Sequence, residues 1–111
     1  MAVTAKPLFD AQQTAAAETQ VYAAPAGTRT IIDKFTAYNS TAAVAALSIK
    51  LVPAAGAPAA SNQIVQRTLA VGEAYTFPEV IGHVLNPGDK ISVLQSVANA
   101  LTLRASGREV T

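Results

Sequence analysis

The feature that most restricts the fold of this sequence is a series of short segments in which apolar and polar residues alternate. The clearest segment begins at Ala45 and places Ala45, Leu47, Ile49 and Leu51 on one face of an extended chain. Comparable segments lie at 31–38, 64–69, 74–77, 91–97 and 101–105. Because successive side chains of a strand point to opposite faces, each segment predicts a short, half-buried strand.

Turn residues separate these segments. Gly27, Gly72 and Gly88 lie in short stretches that combine glycine with proline, asparagine or acidic residues, which favour tight turns. The interval Pro53–Ser61 is a longer loop, and residues 79–82 are predicted to form a short helical turn. No segment is long enough for a crossover helix. The predicted fold is therefore all-β, a single small antiparallel sandwich or jelly-roll-like barrel.

The alternating segments also predict the core. Ile32 and Phe35 lie on opposite faces of a regular strand, so both can be buried only if the strand contains a bulge or is covered on both sides. The predicted core comprises Ile32, Phe35, Leu47, Ile49, Leu51, Leu69, Phe77, Ile91, Val93, Leu101 and Leu103.

The first 19 residues differ from the rest, and we divide the chain into an N-terminal segment (1–19) and a β-sandwich domain (20–111). The segment is rich in alanine but has no apolar stripe at helical spacing, which indicates an extended arm or an edge strand. Its apolar pair, Leu8 and Phe9, needs a surface, either in this domain or in a neighbour. We interpret the segment as an assembly arm, and expect a chain starting at Thr19 to fold but to associate weakly.

Composition excludes several function classes. The net charge is +1 and basic residues do not cluster, which argues against nucleic acid as a partner. The sequence has no cysteine, no apolar run of membrane-spanning length and no signal-peptide pattern, so we expect no disulfides and no membrane. Only 14% of the residues are charged. Partner subunits would cover part of such a surface, which favours a homo-oligomer.

The residues offer no recognisable catalytic set, so we predict no catalytic, cofactor-binding or metal site, and no enzymatic activity. His83 is the sole histidine, and the seven carboxylates are scattered along the chain. We interpret His83 as a hydrogen-bonded structural residue, and Arg104 and Arg108 as members of exposed ion pairs. The three tyrosines are expected at the edges of the core; they are Tyr22, Tyr38 and Tyr75.

A family resemblance rests on combinations of turns and strands that cover about residues 20–110. They include VYAAPAGT at 21–28, LSIKLVP at 47–53, FPEVIG at 77–82, PGDKISV at 87–93 and LTLRASGREV at 101–110. Together they resemble small β-sandwich virion proteins of tailed bacteriophages. The resemblance implies a non-enzymatic virion component, synthesised in the host cytoplasm, and it supplies no binding residues.

Three hypotheses follow from this resemblance and from the composition. The first is a capsid decoration protein that stabilises the head, with the major capsid protein as its partner. The alternative is a tail, collar or fibre component, in which the loop Pro53–Ser61 could carry a carbohydrate-binding role. A free cytoplasmic enzyme or nucleic-acid-binding protein is disfavoured, because the residues that such functions need are missing.

Overall fold

The computed structural model describes residues 2–111, most of which form strands. The elements are β1 (Val3–Gln13), β2 (Thr19–Ala23), β3 (Arg29–Asn39), β4 (Ala45–Val52), a 3₁₀ turn (Ala60–Asn62), β5 (Gln63–Leu69), β6 (Ala74–Thr76), β7 (Val84–Leu85), β8 (Lys90–Gln95) and β9 (Leu101–Val110). No helix among the described residues is long and apolar enough to cross a membrane.

The strands form two antiparallel sheets, and strands from the two halves of the chain pair in a nested order. The first sheet runs β1-β9-β3-β6, with β7 also paired to β3, and the second runs β2-β8-β4-β5. Pairing therefore joins the first strand to the last, the second to the last but one, and so on to the β4–β5 hairpin. This is one long hairpin rolled up on itself, and it confirms the predicted all-β, jelly-roll-like sandwich.

The two sheets lie face to face with their ends aligned. β1 contacts β2 at one side of the sandwich. At the other side, Arg67 of β5 stacks on Tyr75 of β6, with its guanidinium carbon 3.9 Å from the ring centroid. Apolar side chains from both sheets fill the space between them. The sandwich consequently has two open sides, one formed by β1 and β2 and the other by β5 and β6.

The predicted core is confirmed at ten of its eleven positions, and only Leu51 is half-buried rather than buried. β4 pairs with β8 without a register shift through Leu51, so Leu51 keeps the phase of Ile49 and packs against the margin of the same cluster. On the other side of β4, the pairing with β5 shifts between Ile49 and Lys50, where Ile64 is the extra residue.

A bulge also explains how Ile32 and Phe35 are both fully buried. On β9 the partner of Ile32 is Gly107 and the partner of Lys34 is Ser106, which leaves Asp33 unpaired. The extra residue reverses the phase of the strand, so Phe35 points to the same face as Ile32. There the Phe35 ring packs edge-on against Phe77, with centroids 5.8 Å apart.

A bulge of the same kind lies in β1, and of the two alternatives for this segment, an extended arm or an edge strand, the pairing favours the edge strand. Pro7 pairs with Ser106 and Phe9 pairs with Ala105, so Leu8 is the extra residue. Both Leu8 and Phe9 are buried in the core of their own chain, and the Phe9 ring lies 5.7 Å from that of Phe35. The segment is thus the edge strand of the first sheet. β1 is one of the two partners of β9, so the chain starting at Thr19 tests whether the fold depends on this pairing.

Three local expectations also need correction. Residues 79–82 form consecutive turns rather than a helical turn, and they bury Val80. The short strand β7 follows them, although its two residues carry no alternation that the sequence analysis could detect. The last strand continues to Val110, five residues beyond its predicted end, because β1 and β3 pair along its whole length.

Gly107 is required where these two bulges meet. It lies in β9 between β1 and β3, and a β-carbon built there would collide with the carbonyl oxygen of Ile31 and crowd the Leu8 side chain. The collision involves backbone, so a rotamer change cannot relieve it. The absence of a side chain at this position lets the three strands approach closely.

Replacing Ile49 by alanine should destabilise the fold by about 2–5 kcal/mol, the usual loss for truncating a buried isoleucine. Ile64→Ala is the matched control, because Ile64 is exposed and its truncation should cost about 0.5 kcal/mol or less. Urea denaturation of both variants measures the difference. A loss below about 0.5 kcal/mol for Ile49→Ala, the usual range for a surface position, would show that the assigned face of β4 is inverted.

Gly107→Ala should cost about 1–3 kcal/mol or more, because the added methyl group overpacks a site bounded by backbone. Gly56→Ala provides the comparison, since a β-carbon there meets only Pro53 of its own loop. Thermal unfolding should therefore show a clear drop in Tm for the first variant alone. A Gly107→Ala protein with the wild-type Tm would contradict the close approach of β3 to β9.

Candidate functional site

The open sides of the sandwich are the first candidate sites, because unpaired strand edges can bind another chain. On one side of the sandwich, the edge strand of the first sheet is β1, with 11 residues, and that of the second sheet is β2, with 5 residues. On the opposite side, the edge strand of the first sheet is β6, with 3 residues, and that of the second sheet is β5, with 7 residues. The two longest edges thus lie on opposite sides and belong to different sheets.

The hydrogen-bond phase of β1 shows which backbone groups this edge offers. Ala2 and Thr111 exchange both backbone hydrogen bonds, at 3.2 and 2.9 Å. Antiparallel pairs alternate between bonded and non-bonded types, and the register is continuous from Val3 to Pro7. Val3 and Ala5 therefore direct their N–H and C=O groups away from β9, towards the open edge. Pro7 has the same phase but has no N–H, so it ends the usable edge.

The edge of β5 contains no proline. Its sequence, QIVQRTL, also lacks glycine, and Arg67 is its single charged residue. Arg67 points towards the first sheet, where it contacts the Tyr75 ring and lies 3.6 Å from Glu73. Ile64 is exposed beside the edge. β5 thus lacks the proline of β1, but it carries an inward-pointing charge and a bulge at Ile64, two features that protect an edge from pairing.

A polar groove of about 480 Å³ lies on the outer face of the second sheet, next to the predicted loop at 53–61. It is lined by Glu18, Gln20, Val52, Pro58, Lys90 and Ser92. The Glu18 carboxylate accepts hydrogen bonds from Lys50 Nζ at 2.6 Å and from Ser92 Oγ at 2.7 Å. The groove therefore has a neutralised ion pair at its base, and none of the three tyrosines lines it.

Tyr22 connects the two sheets through a network that the sequence analysis did not identify. Its hydroxyl donates to Glu109 Oε2 at 2.6 Å and lies 2.7 Å from Thr30 Oγ1, while Lys6 Nζ lies 3.5 Å from the other oxygen of Glu109. The network links β2 to β9, β3 and β1. Burial, followed by the hydrogen bond to Glu109, raises the pKa of Tyr22 to about 12.

The remaining residues singled out in the sequence occupy varied positions. His83 is exposed, and its backbone carbonyl, rather than its ring, accepts a hydrogen bond from Ile32, which corrects its assignment as a hydrogen-bonded side chain. Arg108 pairs with Asp33, which is distant in sequence, and these hydrogen bonds raise the pKa of its guanidinium. Tyr75 is half-buried, but Tyr38 is exposed and so lies outside the core edge.

Within residues 2–111, no group of three or more histidine, aspartate or glutamate side chains is arranged as metal ligands. No family model and no curated protein sequence matches the chain.

Among the solved structures with a similar fold are one of a bacterial appendage and one of a virus. One is a structure of Bacillus endospore appendages, described as a novel family of disulfide-linked pili. It is 13% identical, has a TM-score of 0.60, and the match covers 98% of this chain and 88% of that chain. The other is infectious bursal disease virus, Gx strain, with 14% identity, a TM-score of 0.50, and coverage of 97% and 32%. This chain spans about a third of the length of the viral chain. At these identities the likeness shows a shared fold.

The raised pKa of Tyr22 predicts a loss of stability at high pH. A tyrosine whose pKa is raised from 10.0 to about 12 on folding stabilises the fold while it is protonated. That contribution is complete below pH 10 and is lost as pH rises to 12, by about 2 kcal/mol. The free energy of unfolding should therefore fall more steeply over this range in the wild type than in Tyr22→Phe. Ionisation of tyrosine is followed by absorbance at 295 nm as pH is raised. Subtracting the titration of Tyr22→Phe from that of the wild type isolates Tyr22, which should show one transition near pH 12. A transition near pH 10 would contradict the network.

Proposed function

We propose that this chain is a non-enzymatic structural subunit of a tailed-phage virion, most specifically a decoration protein that stabilises the capsid. The observation that carries the proposal is the pair of open sides, each ending in a long strand edge. Such edges allow subunits to join by backbone hydrogen bonds. The resemblance of the sequence to virion proteins supports the phage assignment.

The surface composition supports assembly. Only 14% of residues are charged, and several valines are exposed in loops that lie close together, as the hydrogen bonds from Gly72 to Asn39 and from Ser40 to Ala100 indicate. They are Val44, Val71 and Val97. A free monomer with so little surface charge would be poorly protected against association. The shared fold with pilus and capsid subunits supports the same structural role.

In this proposal the N-terminal segment contacts a neighbour through its strand edge rather than through the Leu8 and Phe9 side chains. In the single chain, Leu8 and Phe9 are already buried, so the part of β1 available to a neighbour is the backbone of residues 3–6. Exchange of β1 between two copies would preserve the same burial on a neighbour's β9. Either arrangement uses residues 1–19 for assembly, with the major capsid protein or a second copy as partner.

The second candidate is a tail, collar or fibre component. The pilus structure, whose chain this protein matches over 88% of its length, favours a subunit that forms filaments. The 480 Å³ groove beside the 53–61 loop offers a place for a carbohydrate, although no aromatic ring lines it. These 111 residues contain no cysteine, so any filament they form is joined without disulfides.

Location separates the two candidates. Immunogold labelling of purified particles should place the protein on the capsid shell, and light scattering should give a native mass of several chains. Labelling confined to the tail would favour the second candidate. A strictly monomeric protein that is absent from purified particles would refute both.

The hydrogen-bond pattern of β1 predicts that one proline variant weakens association and that the next one along the strand lowers stability. Ala5→Pro removes an N–H that points to the open edge, so the Tm should stay within a few degrees while association weakens at least tenfold. Lys6→Pro removes a donor from the β1–β9 ladder, so it should lower the Tm markedly. Calorimetry and analytical ultracentrifugation measure the two properties. Unchanged association of Ala5→Pro would show that the β1 edge is not the contact.

A further inference from the structure

The outer face of the first sheet carries a small group of cationic and hydroxyl side chains. Lys34 lies opposite Ser106, and Thr36 lies opposite Arg104, on the adjacent central strands β3 and β9. The two cations therefore occupy one diagonal of the group, and the two hydroxyls occupy the other. These four residues line a groove of about 300 Å³. We call it the Lys34–Arg104 groove.

The charge in this groove is not neutralised within the described chain. The salt bridges among residues 2–111 join Lys6, Lys50, Arg67 and Arg108 to carboxylates, and neither Lys34 nor Arg104 takes part in one. Two carboxylates lie near the groove. Asp33 is held by Arg108 through three contacts of 3.0–3.2 Å. Asp10 lies on β1 in the stretch opposite Arg104 but forms no salt bridge with it. Like charges on neighbouring positions of a strand pair repel each other, and an anion between them removes that cost.

The chemistry of the lining selects the class of ligand. An ammonium, a guanidinium and two hydroxyls carry hydrogen-bond donors, and carbon atoms make up most of the remaining lining surface. Thr36 Oγ1 also lies 3.3 Å from Thr76 Oγ1, and either hydroxyl can be the donor of that hydrogen bond. Thr36 and Ser106 are half-buried between the longer cations. Their positions are fixed by the central strands and by the bulges at Leu8 and Asp33. Such a set of donors suits an oxyanion, and the planar guanidinium of Arg104 suits a carboxylate in particular.

We propose that the Lys34–Arg104 groove binds an oxyanion and that, in the assembly, it receives an acidic side chain of a neighbouring protein subunit. The second part rests on the proposed structural function. A carboxylate is favoured over a polyanion because two cations cannot follow an extended chain of phosphates or sulfates, which requires a row of positive charges. Arg108 and Asp33 already form a carboxylate–guanidinium pair on the same strands.

The first experiment tests the groove in the full chain, independently of assembly. Inorganic phosphate is added at constant ionic strength while amide NMR shifts are followed. We expect saturable shifts at Lys34, Thr36, Arg104 and Ser106, with affinity at least tenfold weaker in Arg104→Gln. Arg29→Gln is the matched control, because Arg29 is also exposed and is in none of the salt bridges, but lies opposite Val110, about 20 Å along β9. Absence of saturable shifts would overturn the oxyanion site.

The second experiment tests docking. Binding of the wild type, Lys34→Gln, Arg104→Gln and Arg29→Gln to purified particles is measured at several NaCl concentrations. We expect at least tenfold weaker binding and a smaller salt dependence for the two groove variants only.

Equal binding by all four proteins, together with saturable phosphate shifts, would overturn the docking proposal and leave a free-anion site. Saturable shifts in a wild type that binds no particle and does not self-associate would refute the proposed function and support the groove. Binding competed by a sulfated polysaccharide would assign the groove to that partner and overturn the protein carboxylate.

Discussion

The pairing of β9 with β1 on one side and β3 on the other is the interaction on which the rest of the roll depends. Ser106 faces Pro7 on one neighbour and Lys34 on the other, and both neighbours carry an extra residue at this point. Without these two bulges, regular alternation would expose one member of each apolar pair, Leu8–Phe9 and Ile32–Phe35. The bulges turn all four side chains inward, and Gly107 leaves room for the backbone that this requires.

This arrangement makes the two ends of the chain a structural unit. Val3 pairs with Val110, so the sheet closes only when residues more than a hundred positions apart meet. Such non-local pairing carries a large loop-closure cost, and it favours folding in which the nested pairs form together. The Tyr22 network reinforces the closure, because Glu109 from the last strand contacts both Tyr22 of the second sheet and Lys6 of β1. The cost of closure also explains why β1 is long although its outer edge is unpaired.

The parts of this fold that local patterns encode could be predicted from the sequence. Strand β4 shows plain alternation and was predicted over its full length. The Ile32–Phe35 conflict predicted either a bulge or burial on both faces, and the structure has the bulge. The choice between an extended arm and an edge strand for β1 could not be made from the sequence, because the Ala-rich segment shows no alternation and the bulge at Leu8 exists only opposite β9. Strand β7 is two residues long and depends on pairing with Thr30 and Ile31. The Lys34–Arg104 groove likewise joins strands that are 70 residues apart, so neither residue indicates a site alone.

The open edges and the groove address different requirements of assembly. Backbone pairing at an edge is almost independent of sequence, and a strand can slip by two residues while keeping the same side chains on each face. An edge therefore supplies binding energy but does not fix register. Fixed register requires side chains that tolerate one position only, and in a chain with so few charges an unpaired lysine and arginine on adjacent strands are well suited to that role. In the proposed assembly, edge pairing would therefore supply affinity, and the proposed anion site in the Lys34–Arg104 groove would select the neighbour and its register.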